Sequence, residues 1–471
     1  MRKRFDFPAY LPDQLPRNVL TRAVNVLPAA DGYRSVRSVA SISEPLQANF
    51  AGGVSYISSG GTAYLLAGTA VGLERYTSGI WSQLITGMTV TGRWRFAQFG
   101  DYAIGVNGVE TKVVDLNAGT ATALAGAPSG TSIAVVGNQV VIGQADGNKL
   151  KVKWSAFNDH TGWTDAVDQA GFQIMLDGGE VQGLAGGEYG IILQRFALTR
   201  MSLSGDNLAP FTFQQVTNNV GCASKASIVQ AGRTVFFLSD RGFMALDDGQ
   251  ALRPIGNEKF DQSFRDTISP NDYEKLWAAV DPKRSLVFWG IPGSPGRIWV
   301  YNWVLDRAST IEVGFSGIFS GYETSQTLEG VAAIYPDLDA MPYSLDDPRF
   351  QGGDPRLYLA TPDNRIGAFS GPTLPATLEM GWVEPTGAQV SRIRALWPIT
   401  DAVEGVRVTV DARQQMGALA ETAQGVRMQT SGRVPVRARG RYVAVTVQHD
   451  AGSLWGYSQG FDLEYDAGGL R

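Results

Sequence analysis

The sequence is poor in the residues that build most catalytic and metal-binding sites. Its 471 residues include one cysteine, Cys222, and two histidines, His160 and His449. A single cysteine excludes an intrachain disulfide and a cysteine-rich zinc site. A Ser-His-Asp triad would need one of the two histidines, and neither lies near a nucleophile-elbow motif. We therefore predict that the protein is not an enzyme and has no catalytic residues, cofactor site or metal site.

Charged residues and long apolar runs are also scarce. Asp, Glu, Lys and Arg make up 18% of the chain, against a usual ~25%. No apolar stretch approaches the ~18 residues of a membrane span. The basic start, Arg2 to Arg4, is followed by Phe5 and Asp6 rather than by the apolar region of a secretory signal. We expect no membrane span and assembly in a reducing cytoplasm, and the net charge of −5 argues against a tight grip on nucleic acid by the whole surface.

Glycine and aromatic residues are abundant. The chain has 56 Gly, 11 Trp, 16 Tyr and 21 Phe. This aromatic content excludes a disordered chain. Many glycines with few charges favour an all-β fold with tight turns, because exposed helix faces are rich in Glu, Lys and Arg.

A hairpin unit recurs along the chain. Apolar strands flank short polar turns near residues 60, 100, 137, 187, 232 and 282, at spacings of 37 to 50 residues. This is the period of a four-stranded propeller blade. The runs 140–142, 191–193 and 235–238 are continuously apolar, which predicts strands buried on both faces. The alternative, one large two-sheet sandwich with repeated hairpins, would need too large a single core.

The sequence therefore predicts an all-β chain with a β-propeller of six to seven blades followed by a small C-terminal β-sandwich. Residues 1–45 contain Pro8, Pro12, Pro16 and Pro28 without a period, which predicts an extended N-terminal arm of net charge +3. Residues 46–375 form the propeller, with net charge −8. Residues 376–471 are neutral and alternate like strands with one wet face, which suits a sandwich. Residues 257–266 are predicted to form one short helix capped by Asn257.

Paired acidic residues are the strongest candidates for chemistry. They are Asp247-Asp248, Asp346-Asp347 and the pair Asp337 and Asp339, all near Gly or Pro. Such acids usually cap turns, although a glycosidase pair or a cation site remains an alternative.

The histidines and the cysteine have simpler interpretations. We expect a turn capped by Asp159 beside a buried Trp163, since the segment 158–163 does not match the spacing of a sialidase aspartate turn. His449 is expected at the surface or an interface, and Cys222 in the core.

A series of short motifs follows one order along the chain. It contains residues 25–28, 31–33, 154–155, Trp163, 169–171, 180–184, 211–213, 220–222, 235–243, 255–259, 440–442 and 459–462. In this order the motifs resemble the tail hub, or nozzle, proteins of short-tailed bacteriophages, often called packaged-DNA stabilisation proteins. The resemblance spans nearly the whole chain. It assigns structural motif positions to Trp154, Trp163, Gly221, Gly242, Gly256 and Arg441.

The resemblance implies a structural virion protein. Such subunits form a ring, a hexamer, below the portal and the head-tail adaptor, and contact tail fibre, spike or needle proteins. The ring retains packaged DNA and forms part of its exit channel, without sequence recognition. A negatively charged body suits such a channel, because every neutralised phosphate would add affinity and drag.

The N-terminal arm is the predicted assembly element. Its candidate residues are Arg2, Lys3, Arg4, Arg17, Arg22 and Tyr33. On this interpretation, deleting residues 1–30 leaves a folded propeller and weakens ring assembly. Two other functions remain open: a carboxylate-dependent propeller glycan hydrolase or lyase, and a receptor-binding tail module with aromatic residues on one propeller face.

Overall fold

The computed structural model describes residues 1–77, 79–90, 92–206, 209–323, 353–387, 389–424 and 426–468. The chain begins with five short strands: β1 (Arg2–Asp6), β2 (Leu20–Val24), β3 (Val26–Ala29), β4 (Gly32–Ser35) and β5 (Arg37–Ser41). The acidic candidates Asp337, Asp339, Asp346 and Asp347 lie outside the described residues.

Twenty strands then form five antiparallel sheets of four. The first two sheets contain β6 (Phe50–Ile57), β7 (Ala63–Thr69), β8 (Leu73–Thr77), β9 (Ile80–Ile85), β10 (Arg95–Phe99), β11 (Tyr102–Val106), β12 (Thr111–Asp115) and β13 (Thr120–Ala123). The third and fourth contain β14 (Ser132–Val136), β15 (Gln139–Gly143), β16 (Lys151–Trp154), β17 (Gly171–Ile174), β18 (Val181–Ala185), β19 (Gly190–Gln194), β20 (Leu198–Leu203) and β21 (Phe211–Thr217). The fifth contains β22 (Val229–Ala231), β23 (Thr234–Ser239), β24 (Gly242–Asp247) and β25 (Ala251–Pro254).

The remaining strands complete the propeller and the sandwich. Blade 6 contains β26 (Trp277–Asp281), β27 (Leu286–Ile291), β28 (Gly293–Asn302) and β29 (Arg307–Phe315), and blade 7 contains β30 (Gly317–Tyr322), β31 (Pro355–Ala360) and β32 (Ile366–Thr373). The C-terminal strands are β33 (Ala376–Val383), β34 (Ser391–Thr400), β35 (Val406–Arg413), β36 (Glu421–Gln424), β37 (Val434–Gly440), β38 (Tyr442–His449) and β39 (Ser458–Ala467).

The propeller prediction is confirmed, and the number of blades is seven. The innermost strands are β6, β10, β14, β18, β22, β26 and β30, and β30 packs against β6 to close the ring. Strands β15 and β19 are buried along their whole length, as their continuous apolar runs predict. Gly100, Gly137 and Gly232 open the turns after three innermost strands with φ of 58°, 52° and 58°, a left-handed conformation that favours glycine.

The N-terminal segment is not an extended arm, which corrects the predicted division of the chain. Strand β5 pairs with β32 and supplies the outer strand of blade 7, with Ala40 opposite Ala368. Strand β2 lies between β29 and β33 and joins blade 6 to the sandwich in one nine-stranded sheet. These strands are placed by partners hundreds of residues away, so no local period marks them.

The C-terminal sandwich is built from both ends of the chain. One sheet runs β2-β33-β38-β35-β36, and the other runs β3-β4-β39-β34-β37 with β1 beside β39. In β35, buried Val406, Val408 and Val410 alternate with more exposed residues, as the sequence predicts. The sandwich therefore includes residues of the N-terminal segment as well as those after residue 376.

One α-helix, α1 (Asp261–Arg265), and three 3-10 segments (Ala145–Gly147, Lys225–Ser227 and Pro270–Lys275) lie among the described residues. The predicted helix at 257–266 is present but shorter, and its cap is not Asn257. The Asp13 carboxylate accepts hydrogen bonds from the backbone N–H groups of Gln262 (2.7 Å) and Ser263 (2.8 Å). The N-terminal segment thus caps a helix between blades 5 and 6, a contact that no local pattern predicts.

Candidate functional site

The basic residues proposed for assembly all contact their own chain. These contacts are mostly surface ion pairs, and such a pair usually contributes ~0–1 kcal/mol to folding stability. The role of these basic residues in assembly stays a prediction. The partners are Asp462 for Arg2 (2.7 Å), the Pro385 carbonyl oxygen for Lys3 (3.3 Å), Asp6 for Arg4 (2.6 Å), Glu384 for Arg17 (3.6 Å) and Glu379 for Arg22 (4.0 Å).

Tyr33, the sixth assembly candidate, lies in the sandwich core. It is 1% exposed, its hydroxyl accepts a hydrogen bond from the Tyr10 N–H at 3.0 Å, and the Arg307 guanidinium lies 5.0 Å from its ring. Burial raises the pKa of Tyr33 to about 12. Its ring cannot contact another subunit in this conformation, so its role is structural.

The two motif tryptophans pack between neighbouring blades. Trp154 contacts Phe211 (ring centroids 5.3 Å apart), and its indole N–H donates to the Gln169 carbonyl oxygen at 2.9 Å. Trp163 is buried, and its indole N–H donates to the His160 carbonyl oxygen at 2.7 Å. Each ring buries apolar surface, and each indole N–H has a backbone acceptor. Both tryptophans therefore have a structural role.

The motif glycines are required by close packing. A Cβ at Gly221 would lie 2.5 Å from the Arg195 carbonyl oxygen. A Cβ at Gly242 or at Gly256 would lie 1.9 Å from a carboxylate oxygen of Asp261. Gly242 and Gly256, which are 14 residues apart, therefore enclose one acidic side chain.

Asp261 is the buried carboxylate at the centre of this arrangement. Its Oδ1 accepts a hydrogen bond from the Phe243 N–H at 3.1 Å, and burial raises its pKa to about 6. Phe243 in turn packs against Phe264 and Trp289, with ring centroids 4.8 and 4.4 Å away. The carboxylate joins α1 to β24 by this hydrogen bond. It thereby stabilises the place where blade 5 meets blade 6.

Arg441, the last motif position, belongs to the contact between the two ends of the chain. Its guanidinium lies 3.6 Å from Glu384, which also pairs with Arg17. Glu384 therefore connects the N-terminal segment with the C-terminal sandwich. The motif residues support the fold at separate places and do not form one cleft.

His449 is buried, which corrects the expectation of a surface or interface residue. It is 1% exposed, its ring stacks on Trp455 at 4.1 Å, and its Nε2 lies 3.3 Å from the Ser458 hydroxyl. Burial lowers the pKa of His449 to about 4. His160 instead packs beside Tyr102 at 4.5 Å and is half-buried.

We expect His449 to make stability pH-dependent. Between pH ~6.5 and 4 the unfolded chain binds the proton and the native chain does not, so native stability falls as the pH falls. In His449→Phe the loss of unfolding free energy over this range should be smaller by about 2–3 kcal/mol. Urea denaturation at each pH measures this, with His160→Asn as the less buried control. Parallel stability curves for wild type and His449→Phe would contradict the prediction.

The cysteine and the described acidic candidates have the following surroundings. Cys222 is fully buried, as predicted, and burial raises its pKa to about 12. The Asp247 carboxylate accepts from the Thr234 hydroxyl and pairs with Arg253 at 2.7 Å, so it contacts side chains of neighbouring strands and does not cap the turn as expected. Asp159 accepts two hydrogen bonds from Thr161, which confirms the predicted capped turn. Within the described part of the chain, no group of three or more His, Cys, Asp or Glu is placed to hold a metal ion.

An exposed apolar surface lies on the outer parts of blades 3 and 4. We call it the outer apolar edge, and it consists of Phe172, Ile174, Leu176 and Phe196. Leu176 is 79% exposed. Strand β17, which carries two of these residues, pairs only with β16 among the described strands. Clustered apolar side chains on an unpaired strand edge are typical of an interaction surface.

The propeller axis contains a small cavity of about 260 Å³. All seven innermost strands line it. At one face it joins a second cavity of about 500 Å³, since Arg95, Lys225 and Trp277 line both. The sequence patterns described above do not predict this cavity. Arg93 and Arg95 stand at alternate positions, which places both side chains on one face of an extended segment and could have indicated a basic site.

Among the described residues, no helix has the length and apolar character to cross a membrane. No protein-family model matches the sequence, and no curated protein matches it. Similar solved structures include the WD40 repeats of RRP9, with 11% identity, TM-score 0.39, and coverage of 63% of this chain and 90% of that chain. They also include the extracellular domain of the putative hybrid two component system BT4673 from B. thetaiotaomicron, with 10% identity, TM-score 0.41, and coverage of 83% and 44%. Similarity at this level indicates no function for this chain.

Proposed function

We propose that this chain is a structural subunit of a bacteriophage tail, a hub or nozzle that forms a ring below the portal and adaptor. The ring, a hexamer, retains packaged DNA and forms part of its exit channel. The ordered motif series, which resembles that of tail hub proteins, supports this proposal, and its residues pack in the blades and the sandwich. The protein acts in the virion and is assembled in the host cytoplasm.

The outer apolar edge is the observation that carries the proposal. The Phe196 N–H donates to the Gly178 carbonyl oxygen at 2.8 Å, which places Phe196 beside the segment that directly follows Leu176. A ring requires each subunit to offer a patch to the next copy, and exposed apolar clusters bury favourably in such contacts. The occupant we assign to this edge is a second copy of the chain.

The size of the axial cavity bears on the path of DNA. A cavity of about 260 Å³ inside the propeller has no room for a duplex. In the proposed ring, the DNA path therefore lies between subunits and not along the propeller axis. The net charge of −5 keeps attraction to phosphates low, which suits passage without sequence recognition.

The assembly state of the purified protein tests the ring. We expect the wild type to form closed rings by negative-stain microscopy and native mass spectrometry. Leu176→Glu should give monomers with an unchanged melting temperature, because the new charge would be buried in the interface. Leu454→Glu is the matched control, since Leu454 is equally exposed on the sandwich (84%). A wild type that stays monomeric at high concentration, or a Leu176→Glu variant that still forms rings, would count against the proposed ring.

Phage particles lacking this chain test the role itself. They should fill with DNA and then lose it, since the proposed ring closes the exit. Full, infectious particles without this protein would overturn the proposal.

A further inference from the structure

Three cationic side chains meet at one face of the propeller axis. Arg95 begins β10 in blade 2 and Arg93 lies two residues before it, and Lys225 lies in the 3-10 segment before β22 in blade 5. The innermost strands run in the same direction in every blade, so the residues that precede them share one face. All three side chains line the 500 Å³ cavity at that face.

The two arginine side chains are half-buried, and their guanidinium groups are held by neighbouring backbone atoms. Arg95 donates from Nη2 to the Lys225 carbonyl oxygen at 3.2 Å and so reaches across from blade 2 to blade 5. Arg93 donates from Nη1 to the Leu276 carbonyl oxygen and lies 4.0 Å from the Trp277 ring. Their positions are therefore fixed by backbone acceptors and an aromatic wall before any ligand binds.

The cavity has too few negative charges for its cations. Glu274 is the one acidic residue that lines it among the described residues, and it lies 3.8 Å from the Lys225 ammonium. Neither arginine has a carboxylate at ion-pair distance in the described part of the chain. Burial lowers the pKa of Arg93, and the neighbouring Arg95 charge lowers it further. Burial also lowers the pKa of Arg95.

A charged group out of water is costly unless an opposite charge compensates it. Here two like charges are adjacent, in a protein whose net charge is −5. An anion between them would remove the repulsion and accept the unused N–H groups. Arginine forks match the oxygens of phosphate and carboxylate groups in bidentate geometry.

We propose that this cavity binds a small oxyanion, a phosphate or a carboxylate group, held by Arg93, Arg95 and Lys225. Trp277 and Phe50, whose ring centroids are 5.4 Å apart, form an aromatic wall of the same cavity. The site is separate from the outer apolar edge and from the sandwich, so the proposal does not depend on the proposed function.

Binding to the purified full-length protein tests the site. Isothermal titration with inorganic phosphate and, separately, with citrate should give sub-millimolar binding of at least one of them, above a chloride background of equal ionic strength. Binding of phosphate alone identifies a phosphate site, and binding of citrate alone identifies a carboxylate site. Absence of binding of both by the wild type overturns the proposal.

Variants localise the binding. Arg95→Gln should bind about tenfold more weakly, because it removes a charge-assisted hydrogen bond. Glu274→Gln should bind several-fold more tightly, because it removes the competing carboxylate. Arg437→Gln is the control, since Arg437 is exposed on β37 of the sandwich. Unchanged affinity in Arg95→Gln would overturn the assignment.

Melting curves separate lost binding from lost folding. Without oxyanion, Arg95→Gln should melt at or above the wild-type temperature, because one of two adjacent positive charges is gone. If that variant does not fold, Lys225→Gln replaces it, since its side chain is 41% exposed and its backbone acceptor for Arg95 is kept. Wild-type affinity in Lys225→Gln would then overturn the site.

Discussion

Deletion of residues 1–30 should unfold the C-terminal sandwich and greatly destabilise the chain. The deletion removes β1, β2 and β3, and β2 is an internal strand between β29 and β33. It also removes buried Phe7, Leu20 and Val26 from the core. Burying each such side chain contributes roughly 1.5–3 kcal/mol, so the total loss is comparable with the ~5–15 kcal/mol stability of a typical protein.

Circular dichroism and calorimetry measure this loss, and a peptide of residues 1–30 added in trans should restore part of it. Leu15→Ser is the control within the same segment, since Leu15 is 86% exposed and outside the strands. A deletion variant that melts like the wild type would instead support the extended arm expected from sequence. The two outcomes therefore separate a structural segment from an assembly arm.

Gly256→Ala should be among the most damaging single substitutions in the propeller. The new Cβ would lie 1.9 Å from Asp261 Oδ1 and 2.6 Å from its Cγ. Asp261 cannot move freely, because its carboxylate accepts from Phe243 and α1 follows directly. We expect a loss of about 3–5 kcal/mol in unfolding free energy, in the range of severe overpacking and a broken buried hydrogen bond.

A rescue variant gives this prediction its control. In Gly256→Ala/Asp261→Ala the clashing carboxylate is absent, so part of the lost stability should return relative to Gly256→Ala. Gly417→Ala is the matched neutral substitution, because nothing lies within 4 Å of the Cβ built there. Urea denaturation of all three variants measures the effect, and equal stabilities of Gly256→Ala and Gly417→Ala would refute it.

Much of the propeller could be predicted because its hairpins are local. The turn at Gly137, for example, joins two strands that pair with their immediate neighbour in sequence. The blade number stayed between six and seven because the last blade lacks a local fourth strand. Its outer strand is β5, more than 300 residues earlier in the chain.

The N-terminal segment could not be placed for a similar reason. Arg2 lies opposite Glu464, and Val24 lies opposite Thr377. A short strand with a distant partner carries neither a hairpin signal nor a long alternating pattern. His449 was misplaced because its strand looked half-exposed, whereas Trp455 covers its ring from the following loop.

The candidate sites were harder to predict than the fold. The motif glycines could be singled out, but the reason for two of them is one carboxylate, Asp261, that only the structure brings beside both. The axial cations come from blades 2 and 5, which are separated by about 130 residues. These side chains meet across the axis only because the seven blades close into a ring. The spacing of the residues along the chain does not predict that contact.

The pairing of β1 with β39 also has a consequence for synthesis. Strand β1 is made about 450 residues before its partner β39. At ~5–20 residues per second, β1 stays unpaired for about 20 to 90 s. During that time the blades can form as local hairpins, whereas the sandwich and the outer strand of blade 7 must wait. The sandwich therefore forms late, once β39 is available to β1, and a chaperone that shields the N-terminal strands would act in that interval.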